Sequence, residues 1–291
     1  MKICRFTLAA DPATPRVGVV DDQGIHDVTS LAETLPPLRW PLPLGDQFIT
    51  HLAELRPRMA ELAKRQPAIA LDAVSLLSPV ANPSKFVCGA GNWKHHGAPF
   101  GMMGFMGKAP TALAGAGAGL HIRWPDRTTV HEPELAIIIG KLVDRPVSQA
   151  DALSYVAGYA CAFDSTLQPE REDWAFCKSF DTYGTIGPWL VTADEIPDPS
   201  ELSYKFWVDD DLRGERNFSD LTGSPAEMIA FASTSMTLYP GDLILSGAAD
   251  VGPVLPGETM TIEIPRIGRM SVKVVTSQHA RSGPWQSGGP A

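Results

Sequence analysis

The sequence predicts an α+β fold that is mainly β, with a small N-terminal α/β lobe over 1–78, a larger β-rich domain over 79–276 and a loose tail over 277–291. Three observations predict it. The apolar runs are short, rich in β-branched residues and closed by turn residues, as in Leu135-Ala136-Ile137-Ile138-Ile139-Gly140. Glycine and proline number 26 each, which favours many turns over a helical bundle. Helical spacing is confined to a few stretches. With 291 residues, 44% of them hydrophobic, the chain can bury a large core.

Taken in order, Lys2–Phe6, Arg16–Val20 and Ile25–Val28 alternate as strands, and the cluster Asp21-Asp22-Gln23-Gly24 reads as a hairpin turn. From Asp46 to about Arg65, Phe48, Leu52, Leu55, Met59 and Leu62 recur at helical spacing. The stretch 76–84, with Pro79 and Pro83, reads as a linker. Lys85–Cys88 is a short strand. Residues 98–119, rich in Gly, Met and Ala, read as one long loop, either a lid or a floppy surface segment. After the apolar run at 135–139 come a short helix near 147–152 and strands near 153–163, 186–191 and 204–209. Ser224-Pro225-Ala226-Glu227 is a capping box that starts a helix. Tyr239-Pro240-Gly241-Asp242 turns into the strand Leu243–Leu245, and 260–264 pairs with 269–275 as a hairpin. The Ser/Gly/Pro-rich end reads as loose.

Charge and cysteine usage narrow the function classes. The formal net charge is −9 and no Lys/Arg run appears, which speaks against nucleic acid and anionic membranes as partners. No apolar run approaches the length of a membrane span, and Met1-Lys2-Ile3-Cys4-Arg5-Phe6 has no leader-like apolar segment. The four cysteines form no CxxC pair. The expectation is a reduced, cytoplasmic compartment.

The chemistry centres on Val130-His131-Glu132-Pro133-Glu134 just before the apolar run. Side chains alternate along a strand, so Glu132 and Glu134 share one face, with Cα atoms roughly 7 Å apart. Two carboxylates that close repel unless one is protonated or a cation lies between them. Pro133 lacks an N–H, which suits a strand start or edge. A cation site and a solvated acidic strand end both fit this pair alone.

Four segments occur together in one order: Gly91-Asn92-Trp93-Lys94-His95-His96, His131-Glu132-Pro133-Glu134-Leu135-Ala136, Asp164 closing the next strand, and Lys178-Ser179-Phe180-Asp181-Thr182. Tyr239 to Gly247 follows downstream. On these segments the chain resembles the fumarylacetoacetate hydrolase (FAH) superfamily over about residues 80–276. The resemblance implies an FAH-type mixed β-roll as catalytic domain behind an N-terminal lobe of the bacterial kind, and a homodimer. It implies Mg²⁺, with Mn²⁺ or Ca²⁺ as alternatives, held by Glu132, Glu134 and Asp164; hard carboxylate oxygens suit such a cation and suit zinc poorly. It also implies Lys178 beside the metal, His96 as general base with His95 as the alternative, and Asp181 either orienting Lys178 or shaping a turn. Asn92, Arg171, Ser246 and Gly247 are the implied substrate-binding residues.

The implied reaction is hydrolysis of a C–C bond in an acylpyruvate-like β-diketo acid, the small-molecule substrate class of the family. The sequence departs from the family at three places. Pro99 stands where a Glu orienting the histidine is expected, with Glu170, Glu172 and Asp173 as replacements from another loop. The segment Ser165-Thr166-Leu167-Gln168-Pro169 lacks the usual Arg, for which Arg171 is the substitute. Ala248 stands where a hydroxyl is expected. These departures keep two other readings open: a decarboxylase, isomerase or hydratase of a 2-oxo acid on the same metal site, and a non-catalytic binding protein.

Overall fold

The structure is a computed structural model that describes residues 1–168 and 174–282. It is α+β and mainly β. The largest sheet runs in the order Ala68–Ile69, Gly24–Asp27, Asp11–Asp21, Lys2–Leu8, Gly184–Thr192, Val156–Asp164, Pro133–Ile139, Leu243–Leu245, Phe86–Gly89 and Phe105–Lys108. Neighbours along this path are antiparallel, except that Leu243–Leu245 runs parallel to Phe86–Gly89. The N-terminal strands join the sheet through Lys2–Leu8, which pairs with Gly184–Thr192. A second sheet holds Asp211–Asn217, Ser203–Val208, Thr259–Ile264, Gly268–Thr276 and Leu120–Ile122, and a small third one Thr166–Leu167, Thr129–His131 and Gly252–Val254. Among the described residues no helix is long and apolar enough to cross a membrane.

The strand Pro133–Ile139 is buried along its whole length. Its alternation divides the core in two. Leu135, Ile137 and Ile139 pack with Phe163, Phe206 and Ile262, while Ala136 and Ile138 pack with Phe86, Cys88, Ala160 and Ala162. The helix Leu52–Ala63 covers the second side with Leu52, Leu55 and Met59. Glu134 has the parity of Ala136 and Ile138, and Asp164 that of Ala160 and Ala162. The two acids therefore stand at one end of that layer.

Several local expectations change. The segment 98–119 is not a structureless loop. It holds the helical turn Phe100–Met103, the strand Phe105–Lys108 paired with Phe86–Gly89, and Leu113–Ala114 parallel to Gly184 and Thr185. Its small residues serve close packing: a Cβ at Gly115 would overlap the backbone of Leu77 and Ser78. The first two residues of the expected linker, Leu76 and Leu77, end the strand Val74–Leu77 against Lys2–Leu8. The helix near 46–65 breaks at His51 into Gln47–Thr50 and Leu52–Ala63. The strand expected near 204–209 is Ser203–Val208, and Asp211–Asn217 pairs back against it as a hairpin. The capping box at Ser224 forms as read, with both reciprocal bonds.

Candidate active site

Three carboxylates meet where three strand ends come together. Glu134 is the second residue of Pro133–Ile139, opposite Ala162. Asp164 ends Val156–Asp164, opposite Gly184. Glu132 lies in the break between Thr129–His131 and Pro133–Ile139, and its carbonyl accepts from the Asp164 N–H at 2.9 Å. Ligand oxygens of Glu132, Glu134 and Asp164 lie within 4.8 Å of one another. Glu134 and Asp164 are fully buried, so three acids sit in a nearly dry space.

Two lysines answer them. Lys178 Nζ donates to Glu132 Oε2 at 2.7 Å, to Asp164 Oδ2 at 2.7 Å and to Thr166 Oγ1 at 2.8 Å. Lys108 Nζ, at the end of its strand, donates to Asp164 Oδ1 at 2.5 Å. Both ammonium groups are buried. Thr166 Oγ1 completes Glu132 by donating to Oε1 at 2.6 Å. Glu134 has no cationic partner among the described residues. Its Oε2 accepts the Gly247 N–H at 2.5 Å, and its buried Oε1 has no hydrogen-bond partner there.

The electrostatics follow from this uneven sharing. Burial alone would raise Asp164, but Lys108 and Lys178 outweigh it and hold the carboxyl at about 2. Burial raises Glu132, with Lys178 opposing it. Burial, Asp164 and Glu132 together push Glu134 well above the usual carboxylate range. For Lys178, burial lowers the value, but Asp164 and Glu132 more than reverse this, so it is a firm ammonium. The cluster carries three acids against two ammonium groups, and the acid left short is Glu134. An orphaned buried carboxylate oxygen among convergent hard oxygen donors fits a hard divalent cation.

The other residues singled out from sequence fall into distinct surroundings. Asn92 is buried, and its side chain is spent on Gly223 and the Ser246 carbonyl. Ser246 Oγ accepts from Leu135 N–H at 3.0 Å and donates to the Gly247 carbonyl. Gly247, at φ +88°, aims its N–H at Glu134 and its carbonyl at Trp93 Nε1, 2.7 Å away. A Cβ at Gly247 would also strike the Gly89 carbonyl. Asp181 is largely exposed and paired with Arg123 at 2.8 Å. His96 is exposed in the turn Lys94–His96, its ring 4.1 Å from that of His95. Pro99 stands before the helical turn Phe100–Met103. Arg171, Glu170, Glu172 and Asp173 lie outside the described residues.

Sequence reasoning missed Lys108 and Thr166. The alternation of Phe105-Met106-Gly107-Lys108 was the available signal for a strand ending in a buried lysine. It also passed over His131, which is buried against Phe206. Burial, then Arg213, lowers that imidazole to about 4, so it is neutral.

A family model described as the C-terminal domain of fumarylacetoacetate (FAA) hydrolase matches residues 83–275. The maleylpyruvate hydrolase of Aquipseudomonas alcaligenes is 42% identical, over 94% of this chain and 99% of the relative. The crystal structure of maleylpyruvate hydrolase from Sphingobium sp. SYK-6, in complex with manganese(II) and pyruvate, superposes with a TM-score of 0.82 at 37% identity, covering 96% of this chain and all of that one. The mitochondrial oxaloacetate tautomerase fahd2 of Xenopus laevis is 29% identical over 94% of this chain and 90% of its own. The triad lies within residues 83–275, and with a family match that spans most of its length the chain belongs to the fumarylacetoacetate hydrolase family.

Proposed function

We propose that the protein is a divalent-metal-dependent hydrolase that cleaves a C–C bond in an acylpyruvate-type 2-oxo acid. The observation that carries this reading is the buried triad Glu132, Glu134 and Asp164 with Lys178 bridging two of its members. Glu132, Glu134 and Asp164 would hold a divalent cation, Mg²⁺ or Mn²⁺, which would supply Lewis acidity toward a 2-oxo acid.

The chain's own residues do the rest. Lys178, which donates to Glu132, Asp164 and Thr166, acts as a fixed positive charge where oxygen becomes negative. Lys108 keeps Asp164 ionised, Thr166 fixes Glu132, and the Gly247 N–H fixes Glu134. His96 takes a proton from the attacking water, whose oxygen adds to the acyl carbonyl. The C–C bond then breaks, its electron pair passes to the pyruvate fragment as an enolate, and His96 returns the proton to carbon. The products are pyruvate and a carboxylic acid. His96 is exposed without substrate, and catalytic contacts commonly tighten only in the complex. Asn92 and Ser246 shape the site through the backbone, and Asp181 acts through Arg123.

The test is product analysis with maleylpyruvate, acetylpyruvate and oxaloacetate, each with Mg²⁺, Mn²⁺ or EDTA. Metal-dependent release of pyruvate and the matching acid supports hydrolysis. A second reading, tautomerisation of a 2-oxo acid, is favoured by Pro99, which leaves no carboxylate at that position to orient His96 for activating water. An isomeric product without C–C cleavage would establish it. A homodimer and a cytoplasmic site complete the proposal. Exposed Trp40, Leu42 and Leu44 offer apolar surface for a partner copy, and all four cysteines are free thiols. Light scattering coupled to size exclusion reads the first.

A further inference from the structure

A cleft of about 340 Å³ is lined by Trp93, Lys94, His95, Arg216 and Asp220. Lys94 and Arg216 face Asp220 there, in a chain whose net charge is −9. The cleft is tied to the triad by short connections. Trp93 in its wall donates to the Gly247 carbonyl, and the N–H of the same residue binds Glu134. Arg216 is fixed by Asp250 at 2.6 Å, and Asp250 accepts from Tyr204 Oη at 2.7 Å on its other oxygen. Asp250 follows Gly247 by three residues, so the two Cα atoms are at most about 11 Å apart. Arg216 is thus tied through Asp250 to the segment that carries Gly247, with its own side chain about half exposed.

From this placement we propose that Arg216, assisted by Lys94, is the specificity-determining residue that binds a second carboxylate, at the acyl end of a dicarboxylate acylpyruvate. The inference rests on the hydrolase reading above and deepens it. With a divalent cation bound, the three carboxylates and two ammonium groups would leave the cluster a single formal positive charge. That single positive charge balances the carboxylate of the pyruvate end. A substrate with another carboxylate needs another cation, and a guanidinium with donors left over beyond its Asp250 contact supplies a planar match for it. Because Asp250 already offsets one charge, the cleft favours a carboxylate that brings hydrogen-bond geometry as well as charge.

The experiment compares kcat/KM for maleylpyruvate, which carries two carboxylates, and acetylpyruvate, which carries one, in the wild type, R216Q and K94Q with Mn²⁺. The expected result is that the wild type prefers the dicarboxylate. R216Q should lower the ratio of the two values by about tenfold to a hundredfold, chiefly through KM. K94Q lies on an exposed residue and should lower it by about two- to fivefold. A wild type without preference, or an R216Q ratio equal to the parent's, overturns the proposal. If R216Q fails to fold, the K94Q ratio decides by the same rule. Turnover of neither substrate overturns the hydrolase reading instead, and the cleft is then judged by calorimetric titration with maleate. Binding to the wild type that R216Q or K94Q weakens supports the subsite, and absence of binding, or equal binding by all three, overturns it.

Discussion

Lys108→Met removes one of the two ammonium groups that hold Asp164 and leaves its hydrocarbon stem in place. Both members of that pair are fully buried and 2.5 Å apart, so solvent cannot replace the lost partner. Breaking a buried pair from one side costs about 3–5 kcal/mol, and the lower end applies because Lys178 still reaches the other oxygen of Asp164, so about 3 kcal/mol is expected. Unfolding entropy of about 2.1 cal/mol/K per residue gives about 0.6 kcal/mol/K for a chain of 291 residues, and the melting temperature should fall by about 5 °C. The assay is thermal and urea unfolding by circular dichroism in EDTA and again with saturating Mn²⁺. The fall should be largest in EDTA and shrink with metal, since a bound cation gives Asp164 a new positive partner. As a control, Lys64→Met, at an exposed pair with Glu61, should be indistinguishable from the parent. A metal-free Lys108→Met protein within about 1 °C of the parent would refute the claim that this pair balances a buried charge.

Other outcomes follow from the same geometry. Glu134→Gln removes the acid that lacks a cationic partner, and isothermal titration should show Mn²⁺ affinity reduced by at least about tenfold to a hundredfold. Ser246→Ala leaves the buried Leu135 N–H without its acceptor and should cost about 1–3 kcal/mol in urea unfolding, whatever its effect on turnover. Asp27 is lowered from 3.8 because Thr29 and Arg16 outweigh its burial. A depressed acid contributes stability above its unfolded value that is lost as pH falls through the folded one, so Asp27→Asn should flatten the loss of stability below about pH 4 and leave its slope at neutral pH unchanged. Lys178→Met should abolish turnover by at least about a thousandfold, while Asp181→Ala, whose carboxylate reaches Arg123 at the surface, should change it by less than about tenfold in the same steady-state assay.

What the sequence made legible was local. Glu132 and Glu134 could be put on one face because strand alternation is a property of neighbouring residues, and Ser224 to Glu227 could be read as a cap for the same reason. The role of Lys108 depends on pairing between Phe105–Lys108 and Phe86–Gly89 and on a carboxylate 56 residues away, neither of which leaves a periodic mark. Composition misled over 98–119, since glycine that serves close backbone packing looks the same in sequence as glycine in a loose loop. Asn92 and Ser246 matched a motif, yet their polar groups bind main-chain atoms, a distinction that only tertiary contacts make.

The cluster draws on residues scattered from Lys108 to Gly247: Glu134 meets Gly247 across 113 positions, and Lys178 meets Glu132 across 46. Contacts of such separation form late, because their loop entropy must be met before they stabilise anything. A growing chain on the ribosome therefore has no complete cation pocket until the strand Leu243–Leu245 and the turn after it have emerged and docked. Metal capture becomes a report of finished folding, and a chain cut short before Gly247 should fold, if at all, without drawing on the cell's supply of divalent ions.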